Sequence, residues 1–364
     1  MKENRSMSCR VSIIIPVHNA EKYLTDCLNS LTAQTVRDLE ILCADDLSQD
    51  GSLALLQRMA AADPRIKVIE MNENRGAGAA RNQALKQAQG EYIAFMDADD
   101  FLPDNEVYEQ LIKATESSGL PVAGGCIAEY RNGKIEHDVW AGMQFEKDGP
   151  MHFSEWACDY GFTRFIYRRD FLQQHQLKFP EIRYYEDPPF LVNSLCAAGS
   201  FYALTRCVYC YRRESGKRTN AEQLMLCLTG MRDNLKTMQA CGMAERLELL
   251  YLERFDVFTE DSLGDLLLAN LNPEHPELLR LLLEIHELLP RIPLPLKLIL
   301  SGVPFQRRLC RWFNVNPPDL NELWNRRSFT ILRYLGRPEQ FFRCLSENGL
   351  SAFIQKIRSK KADR

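Results

Sequence analysis

The sequence predicts an α/β protein: a doubly wound, mostly parallel sheet flanked by helices, with a mainly α-helical C-terminal region. Three observations carry this. Short β-branched apolar runs alternate with helical patterns between Val11 and Met96. Each run ends in a polar or Gly-rich turn, where open parallel sheets bind ligands. Beyond about Asn220 these runs give way to Leu-rich amphipathic stretches.

The elements follow in order. Residues 11–15 form the first apolar run, closed by Pro16. A helix is expected over 20–33, with Tyr23, Leu24, Cys27, Leu28 and Leu31 on one face. A strand over 39–44 runs into a turn-rich stretch from Asp45 to Gly51, and a helix over 52–62 follows. Asp50 suits the cap of that helix. A third strand covers 66–70. A Gly-rich turn from Arg75 to Gly78 opens a helix over 79–89, and a fourth strand covers 92–96. Repeated β-α-β units of this kind build a parallel sheet. The middle, 120–213, mixes strands with short helices, one of them over 190–197. Amphipathic stretches at 247–258 and 278–289 mark the helical region. Two domains are expected, at 1–215 and 216–364.

Composition narrows the function. The chain has 364 residues, 45% hydrophobic and 26% charged, which excludes a disordered or low-complexity protein. Its formal charge of −4 gives no general attraction to nucleic acid. That total hides a split, because residues 291–364 hold fifteen Lys/Arg and only five Asp/Glu. Residues 294–313 mix apolar side chains with Lys297, Arg307, Arg308 and Arg311, a pattern that suits an anionic membrane surface. A solvated basic face or a contact between copies of the chain fits it equally. Residues 1–10 lack the apolar stretch of a signal peptide. No apolar run reaches the ~18–20 residues that span a bilayer. Twelve cysteines are scattered through apolar segments, with one CxxC at Cys207 and Cys210. Free thiols in a cytoplasmic protein are the expectation.

The strand ends carry the chemistry. The first closes in Pro16-Val17-His18-Asn19, the second in Asp45-Asp46, and the fourth in Asp97-Ala98-Asp99-Asp100. The third leads to Arg75-Gly-Ala-Gly, with Arg81 and Asn82 in the helix beyond. A ring can stack on a base, an acid can accept from base or ribose, and an arginine can pair with phosphate. Carboxylates two apart on an extended segment share a face and can hold a hard divalent cation. Together these suit a nucleoside diphosphate and its metal.

Four stretches, Val11 to Asn19, Ala44 to Ser52, Asn74 to Asn82 and Gly90 to Asp100, resemble in order and spacing the family 2 glycosyltransferases of the GT-A fold. Tyr185-Glu186-Asp187 resembles that family's acidic base motif, and Tyr211-Arg212-Arg213 the basic segment that follows it. The resemblance covers about residues 9–215. It implies an inverting, metal-dependent hexosyl transfer from a nucleotide sugar, with UDP as the expected nucleotide, to a glycan or lipid-linked acceptor. Bacterial surface polysaccharide or lipopolysaccharide assembly, at the inner face of the membrane, is the implied setting. Asp187 is the implied catalytic base, with Glu186 beside it. Asp97 and Asp99 would hold Mn²⁺ or Mg²⁺. Pro16, His18, Asn19, Asp45, Asp46, Arg75, Arg81 and Asp97 would line the nucleotide, with Asp46 on the base and Arg81 on the phosphates. Asp100, Arg212 and Arg213 are further candidates for ligand contact. Two departures stand out: Leu47 replaces the usual Gly, and His18 the commoner Tyr. A nucleotidyltransferase and a non-catalytic nucleotide-sugar binder are the alternatives. Within 124–183, Trp140, Trp156, Tyr184 and Tyr185 stack on sugars or fill a core.

Overall fold

A computed structural model describes residues 9–137, 144–156, 158–213, 221–243, 247 and 276–288. The chain divides into two compact units, Met1–Gly216 and Lys217–Arg364.

The first unit is built on one nine-stranded mixed sheet. Its amino-terminal half has β1 (Val11–Val17), β2 (Leu39–Asp45), β3 (Ile66–Glu70) and β4 (Tyr92–Phe95). These are joined by α1 (Glu21–Thr32), α2 (Ser52–Ala62) and α3 (Ala77–Leu85), and followed by α4 (Val107–Ser118). The second half adds β5 (Val122–Arg131), β6 (Lys134–Glu136), β7 (Gly149–His152), α5 (Phe153–Trp156) and a 3₁₀ turn, Phe162–Arg164. Then come β8 (Phe165–Arg168), α6 (Arg169–Gln174), α7 (Asp187–Ala198) and β9 (Ser200–Arg212). The strand order is β3-β2-β1-β4-β8-β5-β9-β7, with β6 on β5. β3, β2, β1 and β4 pair in parallel, and β8 is antiparallel to both β4 and β5.

β1 and β2 are buried along both faces because helices cover each side, so they read as continuous apolar runs. Ile13 and Ile15 pack with Leu24, Leu28 and Leu31 of α1. An aromatic cluster forms elsewhere, where Phe95 of β4 meets Phe162, Tyr167, Phe179 and Phe190 at centroid distances of 5.1–5.9 Å.

α3 begins two residues earlier than expected. Gly76 takes φ +89°, and its carbonyl accepts from Ala80 N, so the helix starts at Ala77. It ends at Leu85 because Gln87 and Ala88 close tighter i→i−3 bonds. Asp50 serves two helices: its carboxylate accepts from Ser52 N at 2.9 Å and from Glu21 N at 3.2 Å. Glu21 in turn accepts from Gly51 N at 2.9 Å, so the starts of α1 and α2 cap each other beside the switch point. The chain runs from β1 to β2 on one side and reaches β4 on the other. The crevice this opens at the carboxyl ends of β1 and β4 is where a doubly wound sheet binds its ligand.

In the second unit, α8 (Ala221–Ala240) pairs with α9 (Pro276–Leu288) through Arg232 and Glu284 at 2.8 Å. The 247–258 stretch, apart from Leu247, and residues 291–364 with their membrane reading lie outside the described residues. Among the described residues no helix is long and apolar enough to cross a membrane.

Candidate active site

The crevice is lined by the motifs at the strand ends. After β1, Pro16 is half-buried while His18 and Asn19 are exposed. His18 Nδ1 lies 2.9 Å from the Asp46 carbonyl, and Asn74 Nδ2 donates to the same oxygen at 3.1 Å. The His18 ring is thereby fixed at the rim. Asn19 takes φ +52° and its N–H donates to Ser48 Oγ at 3.1 Å.

After β2, both acids are buried, at 3% exposure each. Asp46 was expected to meet the base. Its oxygens instead accept from Arg75 N at 2.9 Å and Gly76 N at 2.7 Å. This carboxylate holds the turn that opens α3. Asp45 accepts from Ser48 N at 3.1 Å, and its Oδ1 is enclosed without a protein hydrogen bond. Leu47 takes φ +62°, the left-handed conformation that a glycine adopts without strain, and 46% of its surface is exposed.

Arg81 was expected to reach phosphate. The structure places it at the centre of an ion-pair bridge. Nη2 donates to Asp97 Oδ1 at 2.7 Å and Nη1 to Glu186 Oε1 at 2.6 Å, with the side chain 5% exposed. Its guanidinium lies over Phe162 and Phe179, 4.8 and 5.1 Å from the ring centroids. Burial by itself lowers the guanidinium pKa, but the charges of Asp97 and Glu186 outweigh it and the net shift is upward. Arg81 thus ties the end of β4 to the start of α7. Arg75 turns outward to Glu181 at 2.5 Å.

Along the β4 loop, Asp97 is partly open, Asp99 is exposed and Asp100 is buried. Asp100 points inward, accepting from Tyr209 Oη at 2.6 Å and Arg212 N at 2.7 Å. Burial, then the charges of Asp99 and Asp97, push its pKa well up. Asp100 is therefore a brace for the loop. Arg212 is similarly committed: Nε donates to the Asp99 carbonyl at 2.8 Å, and the guanidinium packs on Tyr23, Phe101 and Tyr130. Arg213 reaches Glu129 at 3.3 Å. The sequence did not single out Tyr209, whose hydroxyl also accepts from Asp97 N at 3.2 Å. It read only as one residue of an apolar strand.

Glu186 is buried at the start of α7, and Asp187, the helix's first residue, is half-buried. Tyr185 takes φ +69° and is buried, Tyr184 is exposed, and Trp156 fills a core with Phe145, Phe165 and Phe201. Trp140 lies outside the described residues.

Among the described residues, no group of three or more His, Cys, Asp or Glu side chains converges to hold an ion alone. Asp97 and Asp99 supply the donor set that Mg²⁺ or Mn²⁺ takes when substrate phosphates complete its shell. The residues fit a metal that arrives with a diphosphate.

Residues 12–176 match the family described as glycosyl transferase family 2. The putative teichuronic acid biosynthesis glycosyltransferase TuaG of Bacillus subtilis is 30% identical over 203 residues, 56% of this chain and 78% of that protein. The chain belongs to glycosyl transferase family 2. The uncharacterized glycosyltransferase EpsJ of the same organism is 30% identical over 220 residues, 57% of this chain and 62% of EpsJ. This family member therefore matches less than two thirds of EpsJ. The crystal structure of S. aureus TarS 1-349 in complex with UDP-GlcNAc superposes with a TM-score of 0.64 at 22% identity. It covers 77% of this chain and 82% of that one, and establishes the GT-A fold: a mostly parallel sheet flanked by helices.

Proposed function

We propose that this chain is an inverting, metal-dependent glycosyltransferase. It moves a hexosyl group from a UDP-sugar to a hydroxyl of a surface polysaccharide or lipid-linked glycan. The observation that carries this reading is the bridge through Arg81, which sets the Asp97 loop and the Glu186–Asp187 pair on one crevice. The TuaG relative, named for teichuronic acid biosynthesis, and the UDP-GlcNAc bound by TarS support the acceptor and donor classes.

In this reading the rim of His18 and Asn19 receives the base, and the turn held by Asp46 shapes the floor beneath it. Asp97 and Asp99 would hold the cation, which would neutralise charge on the leaving diphosphate. Asp187 accepts the proton of the acceptor hydroxyl. As that oxygen bonds to the anomeric carbon, the bond from this carbon to phosphate breaks and UDP leaves with the electron pair. One displacement inverts the centre, so an α-linked donor gives a β-linked product. Glu186 stays ion-paired with Arg81.

The test is UDP release from a panel of UDP-sugars with Mn²⁺, in wild type and Asp187→Asn. Turnover should fall by at least about a hundredfold, the general-base contribution, with UDP affinity within twofold of wild type. Full turnover in the variant removes Asp187 as the base. No release by wild type from any sugar leaves a nucleotide-sugar binder.

A further inference from the structure

The segment that delivers Glu186 and Asp187 runs from α6 to α7 and lies against α3. Its fastening at Phe179 is made by one side chain. Asn82 Nδ2 donates to the Phe179 carbonyl at 2.8 Å, and its Oδ1 accepts from Phe179 N at 3.0 Å. The amide thus pairs with both polar groups of one residue, as a neighbouring strand would. Asn82 is 8% exposed and Phe179 fully buried, so both bonds are shielded from water. The Phe179 ring stacks on Phe190 of α7 at 4.1 Å with 13° between planes.

Two further contacts leave the segment little freedom. Gly78, one turn earlier on α3, has no room for a side chain: a Cβ there would lie 2.9 Å from both Glu186 Cγ and the Pro180 carbonyl. At the far end, the buried Tyr185 hydroxyl donates to Asp159 Oδ2 at 3.3 Å. The Arg81–Glu186 ion pair tolerates small shifts, because Coulomb energy varies slowly with distance. An amide paired to a peptide is directional and weakens steeply off its geometry.

We propose that Asn82 is a positioning residue for acceptor activation. It sets the segment over 179–187 against α3 and so places Asp187, without touching donor or acceptor. This rests on the glycosyl-transfer reading. The consequence is a split between two steps. The segment meets the donor rim at His18, Asn19 and Asp46 through the exposed side chains of Glu181 and Arg183, which reach Arg75 and the Asn74 carbonyl and can follow a small shift, so loss of the amide leaves nucleotide binding intact and slows transfer. A purely structural asparagine lowers stability and damages both steps together.

The experiment uses the full chain with Asn82→Ala and Asn82→Ser, the serine keeping one hydroxyl for one of the two Phe179 groups. UDP affinity with Mn²⁺ is measured by calorimetry, and kcat and KM by UDP release from UDP-GlcNAc and other UDP-sugars. Asn82→Ala should lose roughly 10- to 100-fold in kcat, the scale of a 1 Å misplacement. Its UDP Kd and donor KM should stay within twofold of wild type, and Asn82→Ser should fall between. A kcat within twofold of wild type in either folded variant, or UDP affinity lost in step with kcat, overturns the assignment. If wild type itself releases no UDP, the glycosyl-transfer reading falls and takes this inference with it. A loss confined to the variants separates the two.

Discussion

Replacing Arg81 by methionine keeps an unbranched side chain, two atoms shorter, and removes the charge that two acids share. The guanidinium is 5% exposed, Glu186 is 11% exposed and Asp97 is 32% exposed. The two acids will not suffer equally. Asp97 can turn its carboxylate toward water, whereas Glu186 is left charged and buried. Breaking a buried ion pair from one side costs about 3–5 kcal/mol. The lost packing of cation on Phe162 and Phe179 adds about 0.5–2 kcal/mol, while methionine returns part of it as apolar contact with the rings. A net loss of about 3 kcal/mol lowers Tm by roughly 6–12 °C for a unit of this size. Urea unfolding of wild type, Arg81→Met, Glu186→Gln and the double variant measures this, with a coupling of about 1–3 kcal/mol expected. A single-variant loss below about 1 kcal/mol, or strict additivity in the cycle, refutes the bridge as a stabilising unit. Arg81→Lys keeps the charge without the fork and should lie between wild type and Arg81→Met.

Two other buried polar groups yield sharp expectations. Glu40 of β2 accepts from Ser12 Oγ, Lys67 Nζ and Gln89 N, at 2.6, 2.6 and 2.7 Å. Burial alone raises its pKa, but Lys67, Ser12 and Gln89 outweigh it and hold it below the ordinary 4.5. Its contribution is therefore present above that value and lost as pH falls through the lowered one. Glu40→Gln should cost about 1–3 kcal/mol near neutrality, and the gap to wild type should close in acid; a gap that widens there contradicts the assignment. Tyr209→Phe removes the hydroxyl between Asp97 N and Asp100 Oδ2. It should cost about 1–2 kcal/mol in denaturant unfolding and weaken Mn²⁺-dependent UDP binding roughly tenfold. Unchanged values in both measurements would show that the loop holds its shape without Tyr209.

The strands and the order of motifs were legible because they depend on local pattern. A β-branched run marked β1 and an apolar run β2, and the helix over Ser52–Ala62 and the strand over Ile66–Glu70 stand at the expected residues. Acids after apolar runs marked the crevice. The sequence could not say which acids face a ligand and which hold the protein together. Asp46, Asp97, Asp99 and Asp100 look alike as residues after strands. The structure separates them by the donors they meet: backbone N–H groups for Asp46, a guanidinium for Asp97, and a buried tyrosine hydroxyl and Arg212 N for Asp100. Those donors come from residues 16 to 112 positions away, or from a turn 29 and 30 positions on. No periodicity relates positions so far apart.

The same argument explains Arg81 and Asn82. One turn into a helix after a Gly turn, an arginine is well placed for phosphate, and a sequence reading has no way to see Glu186 arriving from 105 residues later. Yet the surroundings were partly written in α3 itself. Its residues are small up to Arg81: Ala77, Gly78, Ala79 and Ala80. A helix of such residues has little apolar bulk to bury and lets other backbone approach closely. Gly78 admits Pro180 and Glu186, and Asn82 then supplies the polar groups that approaching backbone requires. A buried helix of small residues followed by Arg-Asn is thus a surface prepared for another segment of the chain, and the arginine's first partners are the acids that segment and β4 bring to it. Any phosphate at this site must compete with two carboxylates already within 2.7 Å of the guanidinium. That makes Arg81 a structural link between donor and acceptor sides before it can be a ligand contact.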